Sequence, residues 1–337
     1  MQKLKPFNWC LAILLTIAIM MLALIVGSVA LPVKETVITL WKAATGQETQ
    51  GMTANILLNI RLPRVLCVAL TGAALSLSGA SMQGLLRNPL ADGSTLGITS
   101  GAALGAVFAI YTGIGRHMGG TMGMAMLFSF LSLIAVLSLS YTLDKSFSTN
   151  TIILMGVIYS MLAGSLISLL MAFSGDKLHT ITFWTMGSLS GADYKDALIL
   201  FLTLLLCGGV LMTIRSELNA FAIGEENALH IGINIRRVKL TVMISVSCLI
   251  GVAVSIGGSI GFVGLIIPHM VRLVHGPDHR RLLPACGFLG ASLLMLCDLA
   301  ARTIVSPLEL PLGVVTSLVG TVVFFSIFIR QKKGGQA

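Results

Sequence analysis

Residues 61–93 read RLPRVLCVALTGAALSLSGASMQGLLRNPLADG, and no charged side chain falls between Val65 and Leu86. Rising about 1.5 Å per residue as a helix, that run spans about 33 Å, enough to cross a hydrocarbon core of about 30 Å. Its two ends are punctuated. Pro63 suits a helix start, because it fixes φ and gives up only an N–H that would have no partner there. At the far end, Arg87-Asn88-Pro89-Leu90-Ala91-Asp92-Gly93 has the composition of a sharp, fixed turn.

Similar runs recur along the whole chain, near 9–30, 64–86, 95–112, 121–142, 151–173, 195–214, 240–259, 262–274, 284–302 and 312–330. The expected fold is therefore all-α: a polytopic membrane helix bundle of about ten transmembrane helices, in one domain over 1–337. Composition agrees: 55% of the 337 residues are hydrophobic, 10% are charged and mean hydropathy is +0.94. A soluble domain carries about 25% charged residues. The third run is rich in glycine and the eighth is short and holds Pro268. Broken helices of that kind are tolerated at membrane depth only where protein or a water-filled cavity surrounds them.

The net charge of +9 does not indicate nucleic acid, because the cations lie singly or in small groups between apolar runs, without a basic face. Charge placed there is a topology signal. Lys3, Lys5, Arg87, Lys145, Arg215, Arg236, Arg237, Lys239, Arg272, Arg280, Arg281, Arg330, Lys332 and Lys333 all fall on the side of the N-terminus, the majority of the 22 Lys and Arg. Arg116 falls on the other side. Both termini are thus expected in the cytoplasm, with a large outer segment at 31–63 and a large inner one at 215–239. Ser28-Val29-Ala30 imitates a signal-peptidase site, but the apolar stretch before it exceeds an h-region of about 7–15 residues and reads as a retained first span. The six cysteines nearly all fall within apolar runs, with no spacing for a metal, and read as small buried hydrophobes.

Gly72-x-x-x-Ser76-x-x-Gly79 recurs as Gly251-x-x-x-Ser255-x-x-Gly258, in helices that the topology runs in opposite directions. This suggests an inverted repeat of two five-helix halves, although small-residue patterns in glycine-rich helices also agree by chance. Gly97, Gly101 and Gly105 recur every four residues, share a helix face and read as helix packing. No G-x-x-x-x-G-K-[ST] phosphate loop occurs, so ATP energy would have to come from a partner. Nor do the spans hold the series of carboxylates and histidines that a proton relay needs. Asp298, the clearest acid inside a span, has Arg302 one turn onward on the same face, a structural i,i+4 pair.

Arg61 and Arg64 flank the start of the second span. They suit either interfacial anchoring or docking of an external partner's carboxylates, since Arg offers a planar fork of donors. In the inner segment, Gly224-Glu225-Glu226-Asn227-Ala228-Leu229-His230-Ile231-Gly232 fits a short helix bracketed by glycines. On composition a solvated loop fits equally well.

Together these segments resemble the FecCD family of bacterial ABC-importer permeases. The matching residues run in order through Arg61-Leu62-Pro63-Arg64, Gly72 to Gly79, Asn88-Pro89-Leu90-Ala91 into Gly97, Gly261 to His269, Asp278-His279-Arg280, Asp298 to Arg302 and Glu309 to Gly313. The resemblance implies a transport subunit without its own ATPase site or cofactor. It implies a homodimer in the bacterial cytoplasmic membrane, surrounded by lipid, with an ATPase subunit dimer below. Above it would sit a periplasmic or lipid-anchored substrate-binding protein. It casts Arg61, Arg64 and Arg302 as docking residues, Gly224, Glu225, Ala228, Leu229 and Gly232 as the ATPase coupling segment, and Asn88 and Leu90 as a cytoplasmic gate. The implied cargo is a metal chelate, a ferric siderophore first and cobalamin or haem second. The rival from another class is an ion-coupled secondary transporter.

Overall fold

The computed structural model describes residues 9–27, 29, 31–114, 119–145 and 148–334. Lys3, Lys5, Ser28, Ala30 and Arg116, together with the side chains of Arg330, Lys332 and Lys333, lie outside the described residues. Among the described residues there is no strand, and the helices number fourteen. In chain order they are α1 (Trp9–Ile25), α2 (Val33–Ala44), α3 (Met52–Leu86), α4 (Ile98–Thr112), α5 (Gly120–Leu143), α6 (Thr149–Ala172) and α7 (Leu178–Thr185). Then come α8 (Tyr194–Thr213), α9 (Arg215–Ile223), α10 (Glu225–His230), α11 (Ile235–Gly257), α12 (Val263–His275), α13 (His279–Thr303) and α14 (Leu312–Gly334).

Each of the ten apolar runs coincides with one helix. Six of them, α3, α5, α6, α8, α11 and α13, are long and apolar enough to cross a membrane, while α1, α4, α12 and the Leu312–Ser326 part of α14 are shorter apolar stretches. The two runs that read as short or broken are each one unbroken helix, α12 continuing through Pro268, and the breaks lie ahead of them. Ahead of α4, Asp92 caps a single 3-10 turn, Gly93–Leu96, and Gly97 at φ 72° redirects the chain into the helix. Ahead of α12, Gly258 turns at φ 69° and Phe262 sits in the left-handed region at φ 68°.

One expectation is corrected at the start of the chain. The segment 31–63 holds α2 and the first turns of α3. The second span starts not at Pro63 but at Met52, passing through a π-helical stretch, Ile56–Arg61, just before the proline. A proline cannot donate into the ladder behind it, and a π-type turn accommodates that missing bond without ending the helix. Meanwhile α2 leaves Val33, Val37 and Trp41 exposed at four-residue spacing, one apolar face of a helix lying outside the bundle.

Small residues decide which helices lie in the centre. The membrane window of α3 is 83% buried, against 17% for α6, although both are apolar. In α3 the side chains that meet neighbours are absent or short: Gly72 lies against the Gly290 carbonyl of α13, and Gly79 against the Gly264 carbonyl of α12. Backbones approach this closely only where no Cβ intervenes. On the other side of the suggested repeat, Gly251 of α11 faces Ser129 of α5. The pair α3–α13 and the pair α11–α5 are the two that a repeat of five-helix halves would exchange.

Candidate functional site: the two ends of the bundle

The chain places its sequence-predicted residues at opposite ends. At one end, where α1 and α13 finish and α3 and α14 begin, Asp298 is 1% exposed and works as a double acceptor. Its Oδ1 accepts from Arg64 Nε at 3.0 Å and Nη2 at 2.9 Å, while its Oδ2 faces Arg302 Nε at 3.0 Å. Arg64 Nη1 reaches on to both oxygens of Glu309, at 3.0 and 2.9 Å. Arg61 serves a different purpose. It donates to the carbonyls of Leu24 and Ile25, both at 2.8 Å, and to that of Val29, and Arg302 Nη2 adds Ala23 at 3.2 Å. The last carbonyls of a helix have no partner within it, and a guanidinium satisfies both their lone pairs and the negative end of the dipole. Gly27 leaves the room that the Arg61 and Arg302 guanidinium groups occupy.

The i,i+4 pair read from sequence is therefore part of a larger cluster. The three arginines expected to face an external partner are only 4%, 7% and 3% exposed, in the order Arg61, Arg64 and Arg302. The physical reason is that charges at the edge of an apolar bundle are stable only when paired. Nothing local in the sequence announces Arg64 between Asp298 and Glu309, because its partners stand 234 and 245 residues away along the chain.

At the other end, Gly224 (φ 143°) and Gly232 (φ 86°) bracket the six-residue helix α10. Ala228 is fully buried beneath it, whereas Leu229 and Ile231 are 62% and 70% exposed. Glu225 seats the helix, with Oε2 2.8 Å from Lys239 Nζ of α11 and Oε1 accepting from Thr149 Oγ1 at 2.7 Å. Burial alone would raise the Glu225 carboxyl pKa. The hydrogen bonds from Lys239 and Thr149 and the charges of Lys239 and Arg87 outweigh burial and hold it below the usual range. A carboxylate with a depressed folded pKa contributes stability above its unfolded value of about 4.3 and loses it as pH falls through the lower folded one. Hydrogen-exchange protection over 225–231 should accordingly stay level from neutral pH down to about 4.3 and fall only below it. Glu225→Gln should lose about tenfold or more in protection already at neutral pH, the cost of a lost charged hydrogen bond of about 1.5–3 kcal/mol.

Beside α10, Arg87 (φ 49°) opens the turn that holds the proposed gate. Asn88 Oδ1 accepts from the Leu90 amide at 2.9 Å, which fixes the turn and leaves the Leu90 side chain 51% exposed. A cleft of about 500 Å³ beside α10 is lined by Arg87, Thr149 and Glu225. Of the packing glycines, Gly101 and Gly105 do lie against α5, at Ser132 and the Met124 carbonyl. Gly97 stands apart from them: its positive φ makes it the cap of α4, facing Tyr159 of α6. Among the described residues no group of three or more His, Cys, Asp or Glu comes together to hold a metal.

A family match decides what these ends belong to: the FecCD transport family aligns with residues 14–330. The chain belongs to the FecCD transport family. Its curated relatives fall in line with that. It is 43% identical over 92% of its length, and 90% of the relative's, to the uncharacterized ABC transporter permease protein YvrB of Bacillus subtilis. The molybdate import system permease protein MolB of Haemophilus influenzae is 35% identical, covering 96% of this chain and 95% of that one. The hemin transport system permease protein HmuU of Yersinia pestis is 38% identical over 88% of each chain. Among solved structures, one described as an inward-facing metal-chelate type ABC transporter superposes with a TM-score of 0.85 at 32% identity, covering 95% of this chain and 97% of that one. As a FecCD member the chain is a permease subunit of an ABC importer. The family implies an ATPase partner, a substrate-binding partner and the inner membrane.

Proposed function

We propose that this FecCD chain carries a metal chelate, a ferric siderophore, across the cytoplasmic membrane by alternating access. Two copies form the pathway, with both termini in the cytoplasm. The observation that carries the reading is α10: a short helix held from below by Ala228 and Glu225 while it presents Leu229 and Ile231 outward. That is a surface built for a soluble partner, and here it receives the ATPase dimer. The Asn88–Leu90 turns of the two copies form the inner gate beside it. The exposed apolar residues of α6, among them Leu154, Ile158 and Met161, are covered by lipid and by the second copy.

The arginine end then faces the binding protein. Docking there proceeds by exchange: the Glu309 side chain, 33% exposed, releases Arg64 to an incoming carboxylate, while Arg61 and Arg302 keep α1 in place. A chelate hides its metal, so the pathway needs no metal ligands of its own, only weakly interacting walls. Haem is the second reading, favoured by the hemin permease among the relatives.

The test is uptake into proteoliposomes holding the chain with its cognate ATPase and binding protein. Ferric siderophore uptake is expected only with all three components and ATP. Uptake by the chain alone, driven by an ion gradient, would establish the secondary-transporter reading instead.

A further inference from the structure

Helix α9 leads into α10 through Gly224 alone, so whatever displaces α10 also pulls on α9. Along one face of α9, two side chains three residues apart reach the first turn of α13. Asn219 Nδ2 donates to Asp278 Oδ1 at 2.7 Å, and Asn219 Oδ1 accepts from the His279 amide at 2.8 Å with His279 Nδ1 also 2.8 Å away. Ser216 Oγ accepts from Arg280 Nη2 at 3.4 Å. Asp278 is itself the cap of α13, accepting from the Arg280 amide at 3.0 Å. His279 is 2% exposed and its ring fills the place that Gly84 of α3 leaves open. One side-chain amide thus closes three hydrogen bonds across the joint between α9 and α13.

The far end of α13 carries Asp298 and Arg302. As a helix of 25 residues it is about 37 Å long, and it lies backbone to backbone on α3 at Gly72 and Gly290. Ser76 of α3 fills the same contact and donates to the Cys286 carbonyl at 2.6 Å, just beyond Pro284, so the two helices are tied together there and a displacement of α13 is carried along α3. We propose that Asn219 is the positioning residue through which motion of α10 reaches α13, and so the arginine cluster at the opposite end. This rests on the reading that α10 receives the ATPase. The Asp278-His279-Arg280 segment thereby becomes the receiving side of that joint.

The test uses the complete complex in proteoliposomes and reads substrate transported per ATP hydrolysed. Asn219→Asp sets two carboxylates against each other and should lower that ratio about tenfold, within the usual range of about 5- to 150-fold for intersite coupling, while ATPase assembly and basal hydrolysis persist. The swap Asn219→Asp with Asp278→Asn removes the clash of carboxylates and lets residue 278 donate to residue 219, giving up only the cap bond from the Arg280 amide, and should restore most of the ratio. Asn219→Ala, which removes the bonds without adding charge, should lower it as well and serves if the aspartate variant does not assemble. An unchanged ratio in the assembled single variants, or a swap that restores nothing, would overturn the proposal. Failure of the underlying reading looks different: Leu229→Asp would then leave ATPase assembly intact.

Discussion

Asp298→Asn should cost the folded chain about 3–5 kcal/mol, the usual penalty for removing one partner from a buried ion pair. The substituted amide keeps the shape but leaves Arg64 and Arg302 as two neighbouring cations, with only Glu309 at the rim to balance them. Loss of the cluster also loosens α1, whose last carbonyls depend on Arg302 and Arg61. The measurement is the thermal midpoint of the detergent-solubilised chain, followed by size exclusion and tryptophan emission. A second variant separates structure from docking. Replacing Arg64, Asp298 and Arg302 together with apolar residues of similar volume removes the buried charges as a set, a change that is often neutral or stabilising; Glu309, 33% exposed, is left to solvent and Arg61 still holds the Leu24 and Ile25 carbonyls of α1. That triple variant is expected to fold yet to lose affinity for the binding protein, because the cation offered to an incoming carboxylate is gone. A midpoint for Asp298→Asn within a degree of the parent would show that the cluster does not hold the end together.

Leu229→Asp should leave the fold nearly untouched and strongly weaken the ATPase partnership. The side chain is 62% exposed, and exposed substitutions away from special features change stability by about 0.5 kcal/mol or less. At the centre of an interface, by contrast, a buried anchor carries about 2 kcal/mol or more, so the dissociation constant of the permease–ATPase pair should rise about 30-fold or more. The readout is that constant, measured by titrating ATPase onto permease in nanodiscs. Ala228→Asp is the contrasting variant: it buries an unpaired charge beneath α10 and should unseat the helix itself. Affinity within twofold of the parent for Leu229→Asp would remove α10 from the interface.

The architecture is legible in the sequence because the bilayer imposes one length on every span, and the runs at 9–30 through 312–330 carry that length openly. The glycine breaks before α4 and α12 are legible for a related reason, since glycine adopts those turns at no steric cost. Less is visible where the answer depends on contacts distant in sequence. Arg61 and Arg64 stand on either side of the Leu62-Pro63 step and look alike. Yet one caps α1 and the other bridges Asp298 and Glu309, an assignment that only the packing of α1, α13 and α14 around them decides. Likewise α2 is hidden by its moderate polarity, and Gly97 resembles a packing residue because four-residue spacing does not report the sign of φ. The seat of α10 on Lys239 escapes a sequence reading because a lysine near a helix start reads as a topology signal, although Lys239 is fully buried.

The contacts of Gly72 with Gly290 and of Gly79 with Gly264 also divide the protein into parts of unequal adaptability. A joint made of peptide groups offers natural variation nothing to adjust except at the cost of the joint, so α3, α12 and α13 form a chassis. In α5 and α6 such joints are confined to a few positions, such as Met124 with Gly105 and Gly156 with Thr95, and the exposed apolar residues of α5, α6 and α8 are open to drift. A new cargo would accordingly be accommodated by changes around the chassis, while the linkage from ATPase to outer face is inherited whole. A mutational library aimed at altering what this permease carries should therefore leave the small residues of 72–84 alone and vary the peripheral helices.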